Sequence, residues 1–320
     1  MQLKGTIPTE VGLLTKLTSL DFEVVEFSGT VPTELGLLQS LEQLVISSIS
    51  GSLPSELGKL GNLTSFKVVN TDLTGSLPVE FFRMHQLTQI VVSGSPGLIS
   101  DSLLPEFIGN MPRLQFLVLN QRKSGDEMPL PSEIGMLSEL ANLHLVDWKI
   151  DGTVPKEIGH LTNLDFLSLR ENSIAGTLAP ELFELTNLIG LDIHANQMEG
   201  SLPSMLFSKL TNLHYLRINN NQFSGSIPTE VGLLSNLKKL GLQNTCLSGP
   251  LPTTELLAMG NLTSLVVANT SLSGSIPEEM CGRMSQQEQR WFGGQIYQVK
   301  SENPVCHGTF LCGCNCTGCL

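Results

Sequence analysis

The stretch LHYLRINNNQFSGSIPTEVGLL, residues 213–234, contains the pattern that decides the fold. Its apolar residues Leu213, Leu216 and Ile218 stand at positions one, four and six, and the last two alternate with polar residues as in a half-buried strand. An asparagine follows, and then the segment GSIP at residues 225–228. Because proline fixes φ and removes a backbone donor, this segment predicts an extended or tightly turned stretch on the far side of the strand.

The same pattern recurs along most of the 320-residue chain. Eleven runs have this apolar spacing, and the glycine-to-proline segment occurs in twelve copies, of which two, near Pro105 and Pro131, are degenerate. Most copies lie 24 or 25 residues apart. The regular copies begin at Gly5, Gly29, Gly51, Gly75, Gly152, Gly176, Gly200, Gly225, Gly249 and Gly274. A fixed period in this range predicts a repeat solenoid, in which neighbouring coils bury one another's leucines.

The full repeat resembles the plant-type leucine-rich repeat, which occurs in receptor-kinase ectodomains, receptor-like proteins and polygalacturonase-inhibiting proteins. The resemblance covers roughly residues 3–280. It implies a right-handed superhelix with short parallel β-strands on the concave face and turn or 3-10 segments on the convex face. We predict a leucine-rich-repeat array over residues 1–280, with about twelve copies and the first truncated. A cysteine-rich C-terminal cap, which resembles the tails of diatom leucine-rich-repeat proteins, is predicted over residues 281–320.

The polar positions of the strands face the concave side of such a solenoid, and we call this surface the strand face. It has few charges in the first repeats, whereas charged and aromatic residues occupy it in the middle repeats. Arginine and aromatic side chains are enriched at binding hot spots. We therefore expect the fifth to ninth strands to bind a ligand, through Phe116, His144, Phe166, Arg170, Glu171, Asp192, His194, Tyr215 and Arg217. The alternative is an unused hydrophilic face.

The turn after the strand often contains asparagine, at Asn172, Asn196 and Asn221. An asparagine there is expected to bond the backbone of neighbouring coils where the chain turns inward. Threonine fills the same position in three coils, among them at Thr245, and is expected to do so more weakly. Trp148 replaces the asparagine of its coil, and we expect it to be a packing substitute rather than a ligand contact.

The formal net charge of −12 comes mostly from a repeated glutamate on the convex side. In nine of the twelve copies a glutamate follows the proline position by two residues: Glu10, Glu34, Glu56, Glu80, Glu133, Glu157, Glu181, Glu230 and Glu279. The strand face itself carries five acids, four bases and two histidines, so it is nearly neutral. The absence of a basic stripe argues against nucleic acid as a partner.

Catalytic motifs are missing from the sequence. It has no phosphate-binding loop, zinc-protease motif, nucleophile elbow or calcium loop. Asp192, His194 and His144 can be grouped as an acid–base set on the strand face. An open, solvated sheet excludes water poorly, however, so we predict a protein that is not an enzyme and has no cofactor and no metal.

Six of the seven cysteines follow the last repeat: Cys281, Cys306, Cys312, Cys314, Cys316 and Cys319. An even set in this position favours three disulfides that shield the end of the core. The alternative is a zinc site formed by the last four cysteines and His307, although their spacing is tighter than that of usual structural zinc sites. The remaining Cys246 lies within a repeat, where we expect it to be buried.

The sequence also bears on where the protein is located. Four glycosylation sequons, at Asn62, Asn261, Asn269 and Asn315, and the cysteine usage favour a secretory route. The chain begins in mid-repeat and contains neither a signal peptide nor an apolar run of about 18 residues. We therefore expect the C-terminal part of a longer extracellular or cell-surface protein, for which membrane association of the parent protein stays open. A cytoplasmic protein is the alternative.

Three classes of function fit this sequence. The first is a receptor-like recognition module that binds a protein, peptide or glycan through the strand face. The second is a secreted inhibitor of a glycoside hydrolase, which the resemblance to polygalacturonase-inhibiting proteins implies. The third is a cytosolic protein-interaction scaffold. The first is our prediction and the other two are its alternatives, since the scaffold serves many partners and does not by itself specify a function.

Overall fold

The computed structural model describes residues 4–23, 26–27, 29–98, 108–121 and 126–275. Contacts between residues divide the chain into two units, Met1–Leu164 (unit 1) and Asp165–Leu320 (unit 2). The predicted cap lies outside the described residues. So do the residues predicted to form disulfides or a zinc site and one sequon, namely Cys281, Cys306, His307, Cys312, Cys314, Asn315, Cys316 and Cys319.

Unit 1 contains a parallel sheet to which each of six successive coils contributes one strand. The strands are Ser19–Asp21, Gln43–Ser47, Ser65–Val69, Gln89–Ser93, Phe116–Asn120 and Asn142–Val146. Burial alternates along them: Leu44 and Ile46 are fully buried, whereas Val45 between them is half-buried. The two-residue period therefore places the aliphatic side chains in the core and leaves the intervening ones on the strand face.

Unit 2 repeats this arrangement with five shorter parallel strands. They are Phe166–Ser168, Gly190–Asp192, Tyr215–Arg217, Lys239–Gly241 and Ser264–Val266. The six strands of unit 1 and the five of unit 2 coincide with the eleven runs predicted from sequence. The solenoid fold of the leucine-rich-repeat type is thereby confirmed.

On the far side of each coil, short helices follow the glycine-to-proline segment. The 3-10 helices are Thr9–Leu13, Thr33–Leu37, Ser55–Lys59, Val79–Arg83, Ile108–Asn110, Ser132–Met136 and Lys156–His160 in unit 1, and Pro180–Glu184 and Thr229–Leu233 in unit 2. Unit 2 also has α-helices at Ser204–Lys209 and Thr253–Ala258. The repeated glutamate lies in the first turn, as at Glu157 and Glu230, so the predicted acidic row is confirmed for the described copies.

Proline determines where these helices begin. Pro228 has φ −61° and ψ 145°, and its carbonyl accepts a hydrogen bond from the N–H of Val231 at 3.1 Å. Pro155 precedes its helix in the same way. The missing N–H of proline costs nothing here, because the first amides of a helix have no partner within it.

A second sheet, which the sequence analysis did not predict, lies between the strands and the helices. In unit 2 it comprises Ala175–Gly176, Gln197–Ser201, Gln222–Gly225, Cys246–Pro250 and Ser271–Ser273. Unit 1 has three separate pairs: Lys4–Gly5 with Glu26–Phe27, Ser50–Gly51 with Asp72–Leu73, and Met128–Pro129 with Ile150–Asp151. The recurring glycine has a positive φ, +87° at Gly200, which other residues rarely adopt.

This second sheet also corrects the expectation for Cys246. Its neighbour Leu247 is fully buried in the core, so the alternation of the strand places the thiol on the outer side, where Cys246 is half-buried rather than buried.

Asparagine side chains join the coils of unit 2, as predicted. Asn221 donates from Nδ2 to the carbonyl of Ile193 at 2.9 Å, and its Oδ1 accepts the N–H of Met198 at 3.0 Å. Asn196 makes the same two bonds to the preceding coil, with Leu169 and Ile174. Thr245 instead donates to Leu242 of its own coil at 2.7 Å. Trp148 is 1% exposed, which confirms it as a packing residue.

Glycines in the helices of unit 1 allow the coils to stack closely. A Cβ on Gly135 would lie 2.5 Å from the carbonyl oxygen and 2.8 Å from the Cβ of Glu157 in the next coil. The pairing of a glycine in one coil with a glutamate in the next therefore reflects backbone contact rather than charge.

Gly135→Ala is accordingly expected to lower the free energy of unfolding by about 1–3 kcal/mol, since the two coils must separate to admit the methyl group. Gly61→Ala is the matched control, because a Cβ there meets nothing within 4 Å. Urea denaturation of both variants measures the difference. Equal midpoints would contradict the close-stacking explanation.

Within the part of the chain that the structure describes, no helix has the length and apolarity that a membrane crossing requires.

Candidate ligand-binding surface on the strand face of unit 2

The outward side chains of unit 2 form rows across its five strands. The register aligns Phe166, Gly190, Tyr215, Lys239 and Ser264 in a first row. It aligns Ser168, Asp192, Arg217, Gly241 and Val266 in a second row. Backbone bonds continue the pairing past the strand ends, as from Glu171 N to His194 O at 2.9 Å and from Asn220 N to Gln243 O at 2.9 Å. The resulting third row contains Arg170, His194, Asn219 and Gln243.

The first row contains two aromatic side chains, Phe166 and Tyr215, and Gly190 leaves space for the Phe166 ring. A Cβ on Gly190 would lie 2.7 Å from Cδ1 of Phe166, so the Phe166 ring extends over the neighbouring strand in the space that glycine leaves. On the next strand the Tyr215 ring has the ammonium of Lys239 at 5.9 Å from its centroid, within cation–π range. Phe166 and Tyr215 are both half-buried, so part of each ring remains available to a ligand.

A charged cluster occupies the second and third rows. His194 Nδ1 lies 2.6 Å from Asp192 Oδ1, and since a carboxylate only accepts, Nδ1 carries the proton. Nε2 of the same ring is 3.8 Å from Glu171 Oε1, and Arg170 donates to that oxygen at 2.8 Å. Arg217 lies 3.9 Å from Asp192 Oδ2, an ion pair that is too long for a hydrogen bond. The two acids and two arginines of the cluster therefore balance.

Buried polar atoms without a hydrogen-bond partner are concentrated on this face. They are Ser168 Oγ, Arg170 Nε, Asp192 Oδ2 and Gln243 Oε1. Ser168 is 2% exposed and Asp192 7%. A buried polar atom left unpaired costs about 1–3 kcal/mol, and more when it is charged. Four such atoms on one face therefore mark polar side chains that the fold encloses without pairing every atom.

Gly241 occupies a closely surrounded, buried position in the second row. A Cβ there would lie 3.0 Å from Asn219 Oδ1, 3.4 Å from Gln243 Oε1 and 3.6 Å from Arg217 Cγ. Two side-chain amides and the stem of an arginine therefore enclose the backbone of Gly241.

The structure corrects the placement of several predicted site residues. Arg170, Glu171 and His194 were assigned to strand positions, but the strands end at Ser168 and Asp192, and these residues follow them. The chain turns there, with φ +58° at Glu171. Asp192 is buried rather than solvated, because His194 and the neighbouring strands cover it.

Phe116 and His144 belong to unit 1. They lie on neighbouring strands, with Phe116 opposite Asn142 and His144 opposite Val118. Phe116 is 38% exposed, which is high for an aromatic side chain, and His144 is half-buried. The other seven predicted residues lie in unit 2, namely Phe166, Arg170, Glu171, Asp192, His194, Tyr215 and Arg217.

Three of the four predicted glycosylation sites are described, and all three asparagines are exposed. Asn62 and Asn261 each donate from Nδ2 to a carbonyl of the preceding coil, at 2.8 and 2.9 Å. Asn269 donates to Asn244 Oδ1 at 2.7 Å. Among the residues of the structure that can be described, no three His, Cys, Asp or Glu side chains group as metal ligands.

Sequence reasoning missed Ser168, Lys239 and Gln243, although the two-residue alternation of the strands places each on the same side of the sheet as a predicted residue. It also missed Gly190 and Gly241. A glycine at an outward strand position is itself a signal, since glycine weakens a strand and often marks close approach of another group.

Comparison with known proteins agrees with this architecture. The family model "Leucine-rich repeat region" matches residues 99–216, and "Leucine Rich Repeat" matches residues 212–234. No curated protein matches the chain.

Several solved structures are similar. The crystal structure of a TDR receptor is 31% identical with a TM-score of 0.79, over 88% of this chain and 48% of that one. The Arabidopsis receptor kinase HAESA, in complex with the peptide hormone IDA and the co-receptor SERK1, is 25% identical with a TM-score of 0.75, over 90% of this chain and 52% of that one. The plant peptide hormone receptor RGFR1 in complex with RGF2 is 28% identical with a TM-score of 0.65, over 88% and 52%. The chain spans about half the length of these receptor structures.

Four observations agree on the family of this chain: the recurring motif, the parallel strands with helices on the far side, the family match and the receptor structures. The chain is a leucine-rich-repeat protein of the plant type.

Proposed function

We propose that the strand face of unit 2 binds a peptide or a protein segment, and that the chain is the recognition part of a receptor-like protein outside the cell. The observation that carries this proposal is the pair of half-buried aromatic rings, Phe166 and Tyr215, on the same face as the charged cluster that contains Glu171 and Arg217. Binding sites combine a few placed polar groups with apolar and aromatic surface. Peptide hormones are bound in two of the similar receptor structures.

The charged cluster supports binding rather than catalysis. The Asp192–His194 pair has the contact of an acid–base dyad, but both ring nitrogens of His194 face carboxylates, Asp192 at 2.6 Å and Glu171 at 3.8 Å. The imidazole is thus held between two acids. This arrangement suits a fixed, hydrogen-bonded surface for a ligand.

A selection experiment tests the proposal. A phage-displayed library of random dodecapeptides is selected on the immobilised chain, and clones are then assayed on two double variants. Phe166→Ala/Arg217→Ala changes the strand face. Met205→Ala/Lys209→Ala removes an apolar and a basic side chain from the helix Ser204–Lys209, where both are exposed. We expect clones that bind the chain and the helix variant but not the strand-face variant. Clones that bind all three proteins equally, or no enriched clone at all, would overturn the proposal.

The extracellular location is a separate part of the proposal. It is supported by the exposed sequon asparagines Asn62 and Asn261 and by the cysteine-rich tail. For protein from its native source, we expect intact mass to reveal three disulfides, as a gain of roughly six hydrogens on reduction, together with glycan mass on at least one of these asparagines. Seven reduced thiols without glycan would place the protein in the cytosol instead.

A further inference from the structure

We propose that Gly190 is a positioning residue of the strand face. The space above it lets the Phe166 ring extend towards Tyr215, so that the two rings form one contact surface for a large apolar group of the ligand. A side chain at position 190 would keep the rings apart. This inference rests on the proposed function, and it names the residue that sets the spacing of the two rings.

Gly190 stands at a position where every other described strand carries a side chain. It is the first residue of the strand Gly190–Asp192, on the outward side. The corresponding residues of the ten other described strands are Ser19, Gln43, Ser65, Gln89, Phe116, Asn142, Phe166, Tyr215, Lys239 and Ser264. Gly190 has no positive φ, so the backbone does not require glycine there. Since glycine weakens a strand, its presence indicates that another group occupies the space.

The group in that space is the Phe166 ring. A Cβ on Gly190 would lie 2.7 Å from Cδ1 and 3.0 Å from Cε1 of Phe166, so any side chain at this position must displace the ring. In the register of the sheet, Gly190 lies between Phe166 and Tyr215. The ring therefore extends in the direction of Tyr215, and no side chain of the intervening strand separates the two.

Unit 1 contains a comparison for this arrangement. Phe116 holds the same place in its strand as Phe166, but the residue opposite it on the next strand is Asn142, which has a side chain. Phe116 is 38% exposed, whereas Phe166, opposite Gly190, is half-buried. The aromatic ring beside the glycine is thus the more buried of the two.

Lys239 restrains the second ring from its other side. Its ammonium lies 5.9 Å from the centroid of Tyr215, and Lys239 is 9% exposed. The register places Lys239 and Gly190 on opposite sides of Tyr215. The strands of Phe166 and Tyr215 are about 10 Å apart, and the Phe166 ring extends into that interval. Two rings arranged in this way present a surface that suits a leucine or phenylalanine side chain of a ligand.

A double-mutant cycle of Gly190→Ala and Phe166→Ala in urea tests the ring contact without a ligand. In the Phe166→Ala background, Gly190→Ala should raise the unfolding midpoint, because alanine suits a strand better than glycine. With Phe166 present, the same change should raise the midpoint less or lower it, since the methyl group must displace the ring. Gly260→Ala, where a Cβ meets nothing within 4 Å, should give equal shifts in both backgrounds. Equal shifts for Gly190→Ala would overturn the inference.

Calorimetry with the strongest dodecapeptide from the selection tests the positioning role. Gly190→Ala should weaken binding at least ~10-fold, but in the Phe166→Ala background it should cause no further loss, because the ring that it displaces is already absent. General damage to the sheet would weaken binding in both backgrounds. Replacement of the largest apolar residue of the peptide by alanine should cost less affinity in Gly190→Ala than in the unaltered chain.

The outcomes separate this inference from the proposed function. Full binding by Gly190→Ala, or the same loss in both backgrounds, would overturn the inference while leaving strand-face binding intact. Binding that survives Phe166→Ala/Arg217→Ala, or no enriched peptide, would overturn both.

Discussion

Asn221→Ala is expected to lower the free energy of unfolding by about 2–4 kcal/mol, because its buried amide pairs several backbone groups. Asn221 is 4% exposed, and its amide joins its own coil to the preceding one. It donates to Ile193 O at 2.9 Å and to Ile218 O at 3.1 Å, and it accepts from Met198 N at 3.0 Å. Truncation leaves these backbone groups buried and unpaired.

Two further variants test whether burial of the Asn221 amide causes this loss of stability. Asn212→Ala removes one exposed cross-coil bond, to Thr186 O at 3.0 Å, and should cost at most about 1 kcal/mol. Asn221→Thr should fall between them, because Thr245 fills the corresponding turn and bonds only its own coil. Urea denaturation gives the three values. A similar loss in Asn212→Ala and Asn221→Ala would show that burial of the amide is not what matters.

Phe166→Ala is expected to weaken ligand binding roughly 30-fold, corresponding to about 2 kcal/mol for a hot-spot residue. The ring extends over Gly190 and forms, with Tyr215, the apolar part of a surface that is otherwise polar. Its removal takes away the contact area that an aromatic ring offers to a ligand. Calorimetry with a selected dodecapeptide measures the loss.

Met205→Ala is the matched control for Phe166→Ala. Met205 is an apolar side chain of unit 2 with 44% exposure, and it lies on the helix Ser204–Lys209 rather than on the strand face. Its truncation should leave the affinity unchanged. If Met205→Ala lost affinity and Phe166→Ala kept it, the ligand would lie on the helical side.

Much of the fold could be predicted from local sequence. The spacing of Leu213, Leu216 and Ile218 determines which side chains are buried, and the period of the repeat determines that coils stack. The role of Asn221 followed from its place in the turn. The second sheet could not be predicted, because it depends on hydrogen bonds between extended segments of different coils, such as Gln222–Gly225 and Cys246–Pro250.

The candidate site was predictable in part. The two-residue alternation of side chains along each strand placed Phe166, Asp192 and Tyr215 on one face, and the structure agrees. It did not reveal that the strands of unit 2 end after three residues, so Glu171 was assigned to a strand when it lies in the turn. Nor did this alternation reveal that Asp192 is buried, since its burial depends on His194 and on neighbouring coils.

Photo-crosslinking tests the central claim, that the strand face of unit 2 holds the ligand, most directly. Tyr215 is replaced by p-benzoylphenylalanine in one protein and Met205 in another, and each is irradiated with the same selected dodecapeptide. The two positions lie on the strand face and on the helix Ser204–Lys209. We predict a crosslinked product by mass spectrometry from position 215 and none from position 205. A product from position 205 alone, or equal products from both, would contradict the claim.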